Sequence, residues 1–373
     1  MRVAIIGSRG YPYVYSGYET LVKELSERLV DRGIEVTVYC HKNLFKDKPK
    51  RLKGIDLVYL PSLETKVLSQ LTHSFLSVVH ACFSNVDVIF VVNSANGPFG
   101  LLTRLFQKKT VINVDGLEWL RPKWKGLGAS YFYFASWLST KLYDQLVNDS
   151  DEMRRVYLNL FKRESVVIAY GANVRESIDP SKISKWGLTK GEYFLIVGRL
   201  IPDNNADLLV EGFLRSNSER KLVIVGDVPY KDNYAKNIKS MAESDDRLLF
   251  TGYVTDPEEL AELYHNAFVY LHGHEFGGTN PTLLKAMAYG CCILALNTPF
   301  SREVLGVDKY GLFFEKNADS VVEKIEVLDM DEKLANEFRV VVRQGLTAKY
   351  NWDNVSNQYI ETFNKVAKKK LRN

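Results

Sequence analysis

The sequence predicts an α/β protein built from two doubly wound parallel-sheet domains in tandem. Three observations carry this. A chain of 373 residues is longer than one ordinary hydrophobic core supports. Short apolar runs alternate with helical patterns in one series through about residue 169 and in a second series from Tyr193, with a polar stretch, 170–190, between them. Finally, Tyr270 to Gly290 reads as a buried strand, a glycine-rich polar loop and a helix, an order that leaves backbone N–H groups open to an anion.

In chain order, Arg2–Gly7 is a buried strand and Ser8–Ser16 a loop. Gly17–Arg32 follows with Leu21, Leu25 and Leu29 on one helical face, and Gly33 stops it. Ile34–Tyr39 completes a βαβ unit, which implies a parallel sheet with right-handed crossovers. Further strands are expected at 55–60, 86–92, 110–114 and 166–169, and Tyr131–Val147 as an aromatic-rich helix that either packs in the core or rests one face on a membrane. The second series has strands at 193–197, 221–225, 248–250, 269–271 and 292–296. The domains are thus expected at 1–175 and 190–350, with an amphipathic helix over 352–370.

Four stretches hold the chemistry. In HGHEFGGTNP, Gly277 and Gly278 let the main chain approach a ligand, while Glu275, Thr279 and Asn280 offer directional contacts. In VGRLIPDNN, Arg199 follows a strand end. A guanidinium there suits a diphosphate, with a surface pair to Asp203 as the alternative. In GSRGYPYVYSGYET, Gly17 opens a helix that either faces a phosphate or is a plain N-terminus; the segment lacks the GxGxxG dinucleotide fingerprint. In NVDGLEWLRPKW, Asp115 and Glu118 follow a strand end, where open α/β sheets place ligands. Both are candidates for positioning an acceptor or acting as a base.

Composition bounds the partners. Residues 1–180 carry 24 Lys and Arg against 18 Asp and Glu; residues 181–373 carry 25 against 27. The front half is the likelier to meet an anion, and the run Lys42–Lys53 is either a solvated loop or a contact for anionic lipid. No motif for reading nucleic acid is present. Cys40, Cys82, Cys291 and Cys292 have neither metal nor redox spacing and read as buried thiols of a reducing cytoplasm. No apolar run approaches the ~20 residues of a membrane span. The expected location is cytoplasmic, with a peripheral contact at the inner membrane face as an option.

These motifs, in this order, resemble a GT-B glycosyltransferase of family 4 over nearly the whole chain. Within it they look most like the bacterial capsule and O-antigen subgroup, many of whose members are rhamnosyltransferases. The resemblance implies two Rossmann-like domains facing a cleft, the second gripping a nucleotide sugar, and the last helix returning to the first domain. It implies transfer with retention and without a metal or other cofactor. The donor would be a UDP- or dTDP-linked sugar, and the acceptor a polyprenyl-diphosphate-linked saccharide. Arg199 resembles the family's diphosphate-binding arginine, Gly17 the glycine facing the donor phosphate, and Gly277–Asn280 the diphosphate and sugar loop. Asp115 falls near the reacting carbon. The implied sets are Asp115, Arg199 and Glu275 for catalysis; Gly17, Arg199, Asn204, Gly277, Gly278, Thr279, Asn280 and Lys285 for the donor; Tyr11, Tyr18, Glu118 and Trp119 for the acceptor.

The chain departs from the family pattern twice. Asn204 stands where relatives usually place a lysine. Lys285 stands where the E-x7-E motif ends in a ribose-holding glutamate, and Glu275 lies ten residues before it rather than eight. Two other readings follow: a catalytically impaired nucleotide-sugar-binding relative, or a nucleotide-sugar epimerase.

Overall fold

The computed structural model describes residues 1–13, 17–65, 68–114, 116–122, 124–228, 232–241 and 245–368. The chain divides into two units, Met1–Tyr170 with Lys349–Asn373, and Gly171–Ala348.

The N-terminal unit is built on eight strands: β1 Arg2–Ile6, β2 Glu35–His41, β3 Arg51–Leu52, β4 Ile55–Leu60, β5 Val88–Val92, β6 Thr110–Asn113, β7 Gln145–Asn148 and β8 Val166–Val167. Their spatial order is β3-β4-β2-β1-β5-β6-β7-β8. All pairs are parallel except β3 with β4. β1 and β5 are apolar and buried on both faces, as a central parallel strand requires. The helix Gly17–Asp31 buries Leu21, Val22, Leu25 and Leu29, and Gly33 at φ +74° closes it in a left-handed turn. The last helix, Trp352–Ala367, lies on this same sheet. Tyr359 packs on Phe90 at 5.1 Å and its hydroxyl accepts from Asn113 Nδ2 at 3.0 Å.

The C-terminal unit has six parallel strands: β9 Tyr193–Val197, β10 Lys221–Val225, β11 Leu248–Gly252, β12 Val269–His272, β13 Ile293–Leu296 and β14 Leu312–Phe314. Their order is β11-β10-β9-β12-β13-β14. The chain steps outward from β9 to β11, then returns to the other side of β9 as β12. Its topological switch point therefore falls between β9 and β12, the place where open sheets of this kind bind ligands.

One expectation is corrected. Tyr131–Val147 is not one helix. The helix runs Leu127–Leu142 and the chain then enters β7. The break lies at Tyr143, fully buried with its hydroxyl donated to the Asn96 carbonyl, and at Asp144, whose carboxylate accepts from Thr110 N and Oγ1. These tertiary bonds override a continuous apolar pattern. The polar stretch expected between the domains is tied by side chains to the C-terminal unit. The buried Glu262 accepts from Ser177 Oγ, Ile178 N and Asp179 N at 2.6–2.8 Å, and Arg175 pairs with Glu258. Burial alone would raise the Glu262 carboxyl, but these donors and Asn266 hold it below its ordinary value. Smaller shifts occur at element ends: β5 starts at Val88 rather than Val86, because Asp87 turns to accept from Arg2 N at 2.7 Å.

Candidate active site

Two loops flank the β9/β12 switch point. The first leaves β9 through Gly198 and Arg199 and makes a 3-10 turn, Pro202–Asn204. Asn205 then takes the left-handed conformation, φ 48°, and the helix Ala206–Arg215 begins. The second loop leaves β12, passes Gly273 to Asn280 and enters the helix Pro281–Ala288.

Glycine at the strand ends is dictated by crowding. A Cβ on Gly226, φ +119°, would stand 2.0 Å from the Gly198 carbonyl oxygen, and one on Gly273 would stand 2.4 Å from the Asn204 carbonyl oxygen. Side chains there would force the loops apart. Gly277 sits at φ +114°, a conformation that L side chains rarely adopt. Gly277, Gly278 and Thr279 are buried, and Arg199 is half-buried.

A set of polar bonds locks the loops together. Asn204 donates from Nδ2 to the Arg199 carbonyl at 2.8 Å, and its Oδ1 meets His274 Nδ1 at 2.8 Å. Asn205 donates to the Gly273 carbonyl at 2.8 Å, and Glu275 N donates to the Asp203 carbonyl at 3.0 Å. Glu275 also accepts from Lys316 Nζ at 2.7 Å. His272 is buried at the end of β12, and desolvation lowers its imidazole to about 3, so it is neutral near pH 7.

Arg199, Asn204, Glu275 and Gly277–Asn280 thus share one region of the C-terminal unit. Asn204 joins the two loops through both ends of its amide, which explains an asparagine in place of a lysine. Asn280 is the N-cap of the helix Pro281–Ala288: its Oδ1 accepts from Thr282 N at 2.9 Å and Thr282 Oγ1 at 2.7 Å. Asn280→Ala is expected to cost about 1 kcal/mol, with Asn280→Ser recovering most of it; thermal denaturation of the two variants measures this. Lys285 lies half-buried in the last turn of that helix, where a cation opposes the negative end of the dipole.

In the N-terminal unit Gly17 is the first residue of its helix, and Tyr18 is half-buried beside it. Asp115 lies outside the described residues. Tyr11 must be withdrawn as an acceptor contact: it is 1% exposed and its hydroxyl donates to Glu27 Oε1 at 2.6 Å. Burial, and then the Glu27 carboxylate, push that phenol well above its ordinary value. Glu118 and Trp119 have internal partners. Glu118 pairs with Arg121 at 3.1 Å and accepts from Trp124 Nε1 at 2.9 Å, while the Trp119 ring meets Tyr133, Tyr157 and Phe161. Both side chains brace the loop after β6.

Sequence reasoning missed Lys316, two residues past the short strand β14, and Glu19, a buried carboxylate accepting from Arg9 N at 3.1 Å. It also missed a stacked pair of buried imidazoles, His41 and His73, with centroids 3.8 Å apart. Histidines distant in sequence give no local signal of such a stack. Among the described residues no helix is long and apolar enough to cross a membrane.

Two Rossmann-like units with parallel sheets, the second carrying its ligand loops at the switch point, define the GT-B architecture of glycosyltransferases. Consistent with this, the chain superposes on sucrose-phosphate synthase from Thermosynechococcus elongatus with a TM-score of 0.83, at 17% identity and covering 98% of each chain. It superposes on Anabaena HepE in complex with UDP-glucose with a TM-score of 0.78, at 15% identity, covering 98% of this chain and 100% of that one. Residues 179–344 match the family model "Glycosyl transferases group 1", and residues 1–173 match DUF1972, a domain of unknown function. The match to the glycosyltransferase model thus spans most of the C-terminal unit, Gly171–Ala348. A curated relative from Campylobacter jejuni is 25% identical over 68% of this chain and 70% of its own length. It is named N-acetylgalactosamine-N,N'-diacetylbacillosaminyl-diphospho-undecaprenol 4-alpha-N-acetylgalactosaminyltransferase.

Proposed function

We propose that the chain transfers a sugar from a nucleotide diphosphate donor to a polyprenyl-diphosphate-linked saccharide during assembly of a bacterial surface polysaccharide such as O-antigen or capsule. The observation that carries this is the locked pair of loops at the β9/β12 switch point of the unit that matches the glycosyltransferase model. Its Arg199 and the buried Gly277–Thr279 main chain supply the donors that a departing diphosphate needs. The lipid-linked acceptor is supported by the name of the Campylobacter relative. The rhamnosyl subgroup rests on the motif resemblance alone.

In the proposed reaction the bond from the anomeric carbon to the phosphate oxygen breaks, and its electron pair leaves with the diphosphate. The acceptor hydroxyl attacks from the same face, and its proton passes to the leaving phosphate oxygen. Configuration is thus retained without an enzymic nucleophile, and no metal is required. Arg199 and the 277–280 main chain stabilise the new negative charge. In the C-terminal unit Glu275 orients the donor sugar, and in the N-terminal unit Asp115 and Tyr18 contact the acceptor.

A panel of UDP- and dTDP-linked sugars, read by thermal shift, tests the donor. A true donor stabilises the fold by mass action, about 2.7 kcal/mol at a hundredfold excess over Kd. Absence of a shift with every nucleotide sugar, and with UDP and dTDP alone, contradicts the proposal. Lys285 favours one second reading, a donor-binding relative with impaired turnover. Stabilisation by a donor without transfer, with transfer appearing in Lys285→Glu, would establish that reading instead.

A further inference from the structure

The N-terminal unit carries an apolar face that its own core does not use. Three helices adjoin one another there: Leu68–Phe83, Gly100–Leu105 and Leu127–Leu142. Each buries one side and turns large apolar residues outward. Phe75 and Phe83 project from the first helix, Leu101 and Leu105 from the second, and Phe134 and Trp137 from the third. Phe83, Leu101 and Leu105 are 75%, 65% and 75% exposed.

The three helices form one surface, because cross-links join them. Phe83 meets Phe106 edge-on at 4.8 Å, and Lys108 Nζ donates to the Ser84 carbonyl at 2.8 Å. Arg104 ties the short helix to the end of the third, donating to the Leu142 and Lys141 carbonyls at 2.9 and 2.7 Å. Monomeric soluble proteins rarely leave contiguous apolar patches larger than a few hundred Å².

Charge identifies the occupant. The sequence has no Asp or Glu at 65–86, 88–114 or 119–143, while these spans carry eight Lys and Arg. Two of them, Arg104 and Lys141, lie on the second and third helices, and the half-buried Lys109 immediately precedes β6. Outward aromatics and leucines on helices that carry no Asp or Glu match a headgroup region that is apolar below and anionic above. A second copy of the chain is a poor match, because a symmetric contact sets the patch against itself and brings its cations together. The basic run Lys42–Lys53 is a weaker candidate: Lys53 pairs with Glu27 at 3.1 Å and Arg51 with Asp56 at 3.7 Å.

We infer that the face formed by helices 68–83, 100–105 and 127–142 docks on an anionic bilayer, inserting its outward aromatics and leucines to headgroup depth. The inference stands on exposure and charge and does not depend on which acceptor the enzyme uses. Vesicle binding and sugar transfer are separate readouts, so either can fail alone.

The test is flotation of the full chain with unilamellar vesicles of phosphatidylcholine, with and without phosphatidylglycerol. Binding is expected to the mixed vesicles, to weaken at high salt, and to be slight with phosphatidylcholine alone. Leu101→Ser with Leu105→Ser should lower partitioning by roughly tenfold or more, and Lys109→Glu with Lys141→Glu by a similar factor. Brominated lipid should quench the tryptophan emission, less so in Trp137→Phe. Both double variants change exposed or half-exposed side chains, and unchanged melting temperatures confirm that they fold. Failure to float with the anionic vesicles, or flotation indifferent to both double variants, overturns the inference. So does a lipid-free dimer that the Leu101→Ser/Leu105→Ser variant dissociates, which would assign the face to a second copy.

Discussion

Arg199→Ala is expected to abolish most sugar transfer, by about 10²–10³-fold in kcat, while the protein still folds. The guanidinium follows β9 at the switch point, where the proposed reaction develops charge on the leaving diphosphate. Preorganised donors at such a position are worth about 3 kcal/mol of barrier each, because they need no rearrangement as the bond breaks. The loop's architecture passes through the Arg199 main chain instead: its carbonyl accepts from Asn204 Nδ2 and from Ile201 N. Alanine retains that carbonyl, so the main-chain bonds that shape the loop survive the substitution. Arg199→Lys keeps the charge but loses the two-point grip on phosphate oxygens, and should fall between wild type and alanine. Steady-state kinetics with the donor found by thermal shift, alongside melting curves, decide the matter. Undiminished turnover in Arg199→Ala would remove the guanidinium from the mechanism.

Acidification is expected to destabilise the protein steeply below about pH 6.5. Burial lowers His41 to about 4, with the Arg9 charge adding to it; it lowers His73 to about 3, with His41 adding to it. Burial alone lowers His272 to about 3. Each is neutral when folded but takes up a proton when unfolded once the pH falls below the ordinary imidazole value. Between that value and the folded one the unfolded state binds more protons, so stability rises with pH and is fully present above about pH 6.5. At about pH 5 each buried imidazole has lost on the order of 2 kcal/mol. That is a large share of the 5–15 kcal/mol typical of a domain. The carboxylates held below their ordinary range, such as Glu262 and Glu27, lose their contributions only at lower pH, beneath the ordinary Glu value. The two windows are therefore distinguishable. Melting temperature against pH measures the slope, and His73→Phe should flatten it between about pH 6.5 and 5 by removing one of these proton uptakes. A profile flat across that window would mean that these imidazoles are hydrated in solution.

Much of this was legible beforehand. The tandem sheets followed from period and length, and the buried parallel strands from apolar runs such as Val88–Val92. The loops holding Gly277 and Arg199 could be placed after strands because glycine beside polar residues there is a local signal. Three kinds of feature were not legible. That the Asn280 side chain caps the next helix could not be read from the sequence, because only the backbone places its carboxamide over Thr282 N. Tyr11 looked like an acceptor contact and is buried, because its neighbours Cys40 and Glu27 come from other elements. The break at Tyr143 came from bonds to Asn96 and Thr110, which a window along the chain does not contain.

By itself the sequence determined the repeating βαβ order, the two sheets, and the residue types able to meet a phosphate. Local periodicity and glycine chemistry are properties of neighbouring residues, and they survive being read in a line. Which side chains meet was decided only in three dimensions: the Asn204–His274 link, the Glu275–Lys316 pair, the stacked imidazoles, and the apolar face assembled from three separate helices. Those contacts join residues tens of positions apart, and each one's energy exists only after the sheets have brought them within reach.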